Sequence, residues 1–133
     1  MTTAQTIEAI CTRCIVPQTH AASQYFDAIK ELVAGRNQAS AQDRALWQAA
    51  IDRVYDQVRD EILTNSGSPR QPVSFGTSGW RGMLGKDLFV RSVAVVTAAI
   101  LGLYKDADDN PELRQFLGVE NFAEMQRRGC VVG

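Results

Sequence analysis

Phe75-Gly76-Thr77-Ser78-Gly79-Trp80-Arg81-Gly82 sets three glycines, two hydroxyls and one guanidinium within a single short run. Glycine reaches positive φ without steric penalty and lets successive backbone N–H groups come close to an anion. Thr77 and Ser78 add hydroxyl donors. The planar fork of Arg81 matches two phosphate oxygens at once, which a lysine point charge does not. These residue types spell a phosphate-holding loop, and equally a tight glycine-rich hairpin with no ligand. Neither the Walker phosphate loop nor the dinucleotide fingerprint fits the spacing.

Working outward, Pro72-Val73-Ser74-Phe75 reads as a short strand entering the loop, with a return through Trp80 to Leu84. Asp87 is placed to cap a helix from Leu88 to about Lys105, whose almost unbroken apolar run predicts burial on most faces. Strand, loop and helix in this order suit an α/β domain that holds a loop rigidly at the edge of a cleft. From Asp106 to Arg128, Asn110-Pro111 supplies a cap and a first-turn proline. Leu113, Phe116, Leu117, Phe122 and Met125 are apolar anchors for one or two short helices. Cys130-Val131-Val132 then reads as a final strand, and an uncovered strand edge predicts pairing with a second copy.

Upstream, the turn formers Asn65-Ser66-Gly67-Ser68-Pro69 divide a helical extension, residues 1–66, from an incomplete α/β domain, residues 67–133. Ala22, Tyr25, Phe26, Ile29, Leu32 and Val33 recur at helical spacing, with Gly35 placed to stop that helix. A second helix, capped by Ser40, carries the stripe Trp47, Ile51, Val54, Val58 and Ile62. Two such helices form a hairpin that buries little alone, so they are expected to pack on an enzyme body or a partner subunit. The expected architecture is α/β and helix-rich, with a partial sheet of about three strands.

The string FGTSGWRG, followed by Gly85-Lys86-Asp87 and an apolar helix, resembles the start of the α-D-phosphohexomutases, the phosphoglucomutases and phosphomannomutases. The likeness covers about residues 72 to 104 and resumes at Cys130-Val131-Val132-Gly133. It implies the first of four domains, with the arginine that matches Arg81 contacting a phosphate. Thr77, Ser78, Gly76 and Gly79 would shape that phosphate site. The implied enzyme interconverts hexose 1-phosphate and hexose 6-phosphate through a phosphoserine, a hexose 1,6-bisphosphate intermediate and Mg2+. The phosphoserine, magnesium, sugar and C-terminal phosphate loops of such an enzyme do not occur in this sequence. The expectation is thus an N-terminal, truncated part of a mutase, inactive alone and without a catalytic residue or metal ligand of its own. Ser78 lies in the wrong motif to be the nucleophile. The competing expectation is a non-catalytic helical interaction or oligomerisation module that keeps the loop as a turn.

Composition excludes several other classes. The net charge of −1 predicts no nucleic-acid partner. The segment from Val93 to Tyr104 is far shorter than the roughly 20 residues a membrane span needs, so no membrane partner is expected. The three cysteines form no disulfide framework, and the first residues lack a secretory pattern, which points to the cytoplasm. Cys11-Thr12-Arg13-Cys14, near His20, is only half of a zinc or redox spacing. Asp106, Asp108 and Asp109 lack the glycine and glutamate of a calcium loop and read as a solvated turn. Hexose phosphate is the implied small-molecule partner, and a homodimer through the sheet edge or the N-terminal helices is the implied assembly.

Overall fold

The structure is a computed structural model that describes residues 1–131. It is helix-rich with one small antiparallel sheet, and it divides into two compact units, Met1–Arg91 and the chain from Ser92 onward.

The first unit is built on three helices, α1 (Thr3–Cys14), α2 (Tyr25–Gln38) and α3 (Arg44–Thr64). The two-helix hairpin expected from sequence is therefore a three-helix packing, and α1 is the element that reading missed. Its start is a reciprocal cap: Thr2 Oγ1 accepts from the Gln5 amide at 3.2 Å, and Gln5 Oε1 accepts from the Thr2 amide at 2.8 Å. Ile7, Ile10 and Cys14 then bury one face against the other two helices. The expected α3 stripe is in place, with Trp47, Ile51, Val54 and Val58 buried and Ile62 packed beside them. From α2, Ala28 and Leu32 meet it at zero exposure.

Gly35 does not stop α2, which runs on to Gln38. A Cβ at Gly35 would stand 2.4 Å from the Trp47 ring, so this glycine is where the indole lies directly on the α2 backbone. Ser40 organises the turn ahead of α3 rather than its first helical turn, since its Oγ accepts from the Asp43 amide at 3.3 Å and α3 starts at Arg44. The α1–α2 connection is held by Ser23, fully buried, whose hydroxyl accepts from the Val16 amide at 3.0 Å and donates to the Thr19 carbonyl at 2.8 Å.

The sheet consists of β1 (Phe75–Gly76) and β2 (Gly79–Trp80), with Phe75 opposite Trp80 and Gly76 opposite Gly79. Both strands are shorter than expected. Of the expected third strand, Cys130 and Val131 have no strand structure, and Val132 lies outside the described residues. Among the described residues the sheet therefore has two strands where about three were expected.

Helix α4 (Val90–Asp106) starts near the expected position but overturns the expectation of burial. Among its described residues only Ser92 is buried, while Val93, Val95, Ile100, Leu101 and Leu103 are exposed. Hydropathy states that such a surface favours cover; it does not state that the cover comes from the same chain. The rest of the second unit is a 3-10 turn (Ala107–Asp109), α5 (Pro111–Leu117) and α6 (Phe122–Arg128).

Asn110 caps α5 through the Leu113 amide at 3.1 Å, as its pairing with Pro111 led one to expect. Asn121 caps α6 through the Glu124 amide at 2.8 Å. The acidic turn is structural: Asp108 Oδ1 accepts from the Phe122 amide at 2.7 Å, and Arg114 donates to the carbonyls of Ala107 and Asp108. Leu113, Leu117, Phe122 and Met125 are half-buried, but Phe116 is 85% exposed and anchors nothing within the unit.

Candidate functional site

The glycine loop is the tip of the β1–β2 hairpin, with Thr77 and Ser78 as its two connecting residues. Gly79 has φ of 100°. A side chain there would be strained by backbone conformation alone, which is the reason for glycine in this turn. Gly76, Thr77, Ser78 and Arg81 are exposed and Gly79 is half-exposed. Arg81 Nη2 donates to Ser78 Oγ at 2.5 Å, so hydroxyl and guanidinium stand together on one side of the turn. The structure thus brings Ser78 and Arg81 together; it gives Thr77 no hydrogen bond among the described residues.

The base of the hairpin is held from below by a buried carboxylate. Asp87, 5% exposed, accepts from the Gln71 amide at 2.8 Å and from the Met83 amide at 2.9 Å, tying together the chain entering and leaving the hairpin. Gly82 makes room for it: a Cβ there would lie 2.5 Å from the Cβ of Asp87. Hydrogen bonds to a carboxylate are the stronger kind, so this one side chain ties positions sixteen apart in the chain with charge-assisted bonds. Asp87 thereby frames the loop, in addition to standing three residues ahead of α4.

Beneath Asp87 lies a polar cluster that sequence reading did not find. Lys86, 6% exposed, stands with its Nζ 2.6 Å from Oε1 of Glu61, itself 2% exposed. That oxygen is at ion-pair distance without the alignment of a hydrogen bond. Lys86 Nζ donates to the His20 carbonyl and lies 5.4 Å from the centre of the Tyr25 ring. His20 in turn reaches Tyr25 Oη through Nδ1 at 2.7 Å and Asp60 Oδ2 through Nε2 at 2.9 Å. Desolvation pushes the Tyr25 phenol up, with Glu61 and Asp60 adding to the rise.

Gly85, at φ of 81°, passes so close that a Cβ would meet the Glu61 carboxylate at 2.6 Å, and Asn65 Nδ2 donates to its carbonyl at 2.8 Å. The hairpin is therefore bolted to the ends of α2 and α3 through Glu61, Lys86 and His20. Glu61 falls among the apolar positions of α3, between Val58 and Ile62, and an acid on an apolar stripe is the signal that could have found it.

Among the described residues no group of three or more His, Cys, Asp and Glu side chains is arranged to hold a metal ion. The thiols of Cys11, Cys14 and Cys130 are free, and burial pushes Cys11 above the ordinary thiol range. No helix of the described residues is long and apolar enough to cross a membrane. The chain matches no protein-family model, no curated protein and no solved structure.

Proposed function

We propose that this chain carries the phosphate-holding loop of a phosphohexomutase, the enzyme type that interconverts hexose 1-phosphate and hexose 6-phosphate through a phosphoserine. The observation that supports this most is the exposed pairing of Ser78 with Arg81 on a hairpin whose base is fixed by buried Asp87. Phosphoryl transfer depends on positioned positive charge more than on covalent help from the protein. In this reading Arg81 takes two oxygens of the phosphate and orients it. Ser78 exchanges its bond to Arg81 for one to the ligand, and the amides around Gly76 and Gly79 complete the cradle, with Thr77 beside them. In this reading the nucleophile and the magnesium ligands belong to other loops of the enzyme, and this loop performs the holding step. Three free thiols suit a reducing, cytoplasmic setting.

The test is a titration of the 15N-labelled protein with glucose 1-phosphate, mannose 1-phosphate and inorganic phosphate. Amide shifts confined to Gly76 through Gly82, with a Kd near 1 mM or weaker, are expected for one wall of a larger site. Arg81→Ala should weaken binding about tenfold or more by removing the charge-assisted pair. Saturating shifts elsewhere in the chain, or equal binding by the alanine variant, would remove Arg81 from the role. A second reading, a non-catalytic interaction module, is favoured by the exposed apolar surface of α4, and it predicts no loop shifts with any of the three ligands.

A further inference from the structure

The first unit carries an apolar groove of about 540 Å3 between α1 and α3, floored by Ile7, Cys11 and Ile15 on one side and by Leu46, Ala50 and Val54 on the other. The groove opens to solvent, with exposed Leu46 and half-buried Cys11 and Ile15 along it, and an open apolar surface of this kind is a place for a partner. Both walls present residues at helical spacing, which is how a helix pair receives another helix. Its walls run along α1 from Ala4 to Ile15, just past the helix end, and along α3 over residues 46–57, about 18 Å each.

The same chain carries a helix with the opposite need. Residues 92–104 of α4 contain no charge, and at 1.5 Å per residue they extend about 20 Å, the length of the groove. Val90, Val93, Ile100 and Leu101 share one face and are exposed by 53%, 48%, 44% and 40%. Arg91 and Lys105 bracket the uncharged stretch, so they would fall beyond the groove ends and remain in water.

We propose that the α1/α3 groove receives α4 of a second copy of this chain, and that the exchange is reciprocal, giving a two-fold dimer. Two copies would bring each such helix face onto the other's groove at once, a reciprocity that an unrelated partner would not provide. Self-complementary contacts of this kind are the basis of isologous dimers. The proposal is independent of the phosphate reading, because no loop residue takes part. Of the two expected routes to self-association, the sheet edge and the N-terminal helices, it uses the second, with α4 as the matching surface.

Sedimentation equilibrium in reducing buffer, from about 1 to 300 μM, should give a mass approaching twice 14.6 kDa for the unmodified protein. Ile100→Glu disables the helix and Leu46→Glu disables the groove; both sites are exposed, so each variant should keep its helical circular dichroism. Each alone should raise the dimer Kd by about 100-fold or more. An equimolar mixture should regain association that neither shows alone, because a mixed pair keeps one intact groove and one intact helix. Arg81→Ala should associate like the unmodified protein. A monomeric mass at every concentration overturns the proposal. So does undiminished association by Leu46→Glu, which would mean that α4 pairs with α4, or a mixture that stays monomeric.

Discussion

Lys86 and Glu61 show how one buried charge pair can tie a glycine-rich hairpin to a helical frame. Removing two ions from water is costly, and their attraction offsets that cost only when both are present and well placed. Lys86→Met should therefore strand the 2%-exposed Glu61 carboxylate and destabilise the first unit by about 3 to 5 kcal/mol. Lys86→Met combined with Glu61→Leu should recover much of that loss, because no orphan charge remains. Urea unfolding of the two variants checks this, and equal destabilisation by both would mean that the pair is not coupled. Gly85, close against Glu61 at positive φ, was visible in the sequence only as one glycine of a loop. Its reason lies in a residue 24 positions upstream that local pattern cannot associate with it.

Among the elements, α2 and α3 were legible because each must bury one stripe on the other, and a stripe of period 3.6 is written directly in the order of residues. The hairpin was legible from its glycines. Helix α1 was equally open to reading, since Thr2 and Gln5 form a capping pair and Ile7, Ile10 and Cys14 follow at helical spacing. Helix α4 marks the limit: its apolar run announced a need for cover and was mistaken for cover already found.

Helix α6 supports a prediction of its own. Glu124 Oε2 accepts from the Glu120 amide at 2.5 Å and Oε1 pairs with Arg128 at 2.5 Å, and these partners, the amide first, hold its carboxyl below the usual glutamate range. A depressed folded pKa adds stability that is present above the unfolded value and is lost as pH falls through the folded one. The Glu120 amide should thus titrate together with the Glu124 carboxyl, at a pH below the usual glutamate range, in an NMR pH series. Titration of Glu124 in the ordinary range would show that the cap is not formed in solution.

Over the whole molecule, stability is distributed unequally between the two units. The first owns a continuous core of twelve buried residues, from Ile7 on α1 to Val58 on α3. In the second, α4, α5 and α6 bury only Ser92 among their described residues, and the turn between them adds Ala107. Caps and turn hydrogen bonds fix local conformation there, but each contributes about 1 kcal/mol or less net, and isolated helices of seven residues are marginal in water. Hydrogen exchange at low protein concentration should therefore show two classes of amide. Those in α2 and α3 should exchange only through global opening, while those from Ser92 to Arg128 open locally at a cost approaching zero. Raising the concentration should slow exchange in α4 selectively, with α5 and α6 unchanged, if α4 gains its cover from a second copy. Uniform protection across both units at micromolar protein would show that the second unit has a source of cooperativity that its burial does not supply.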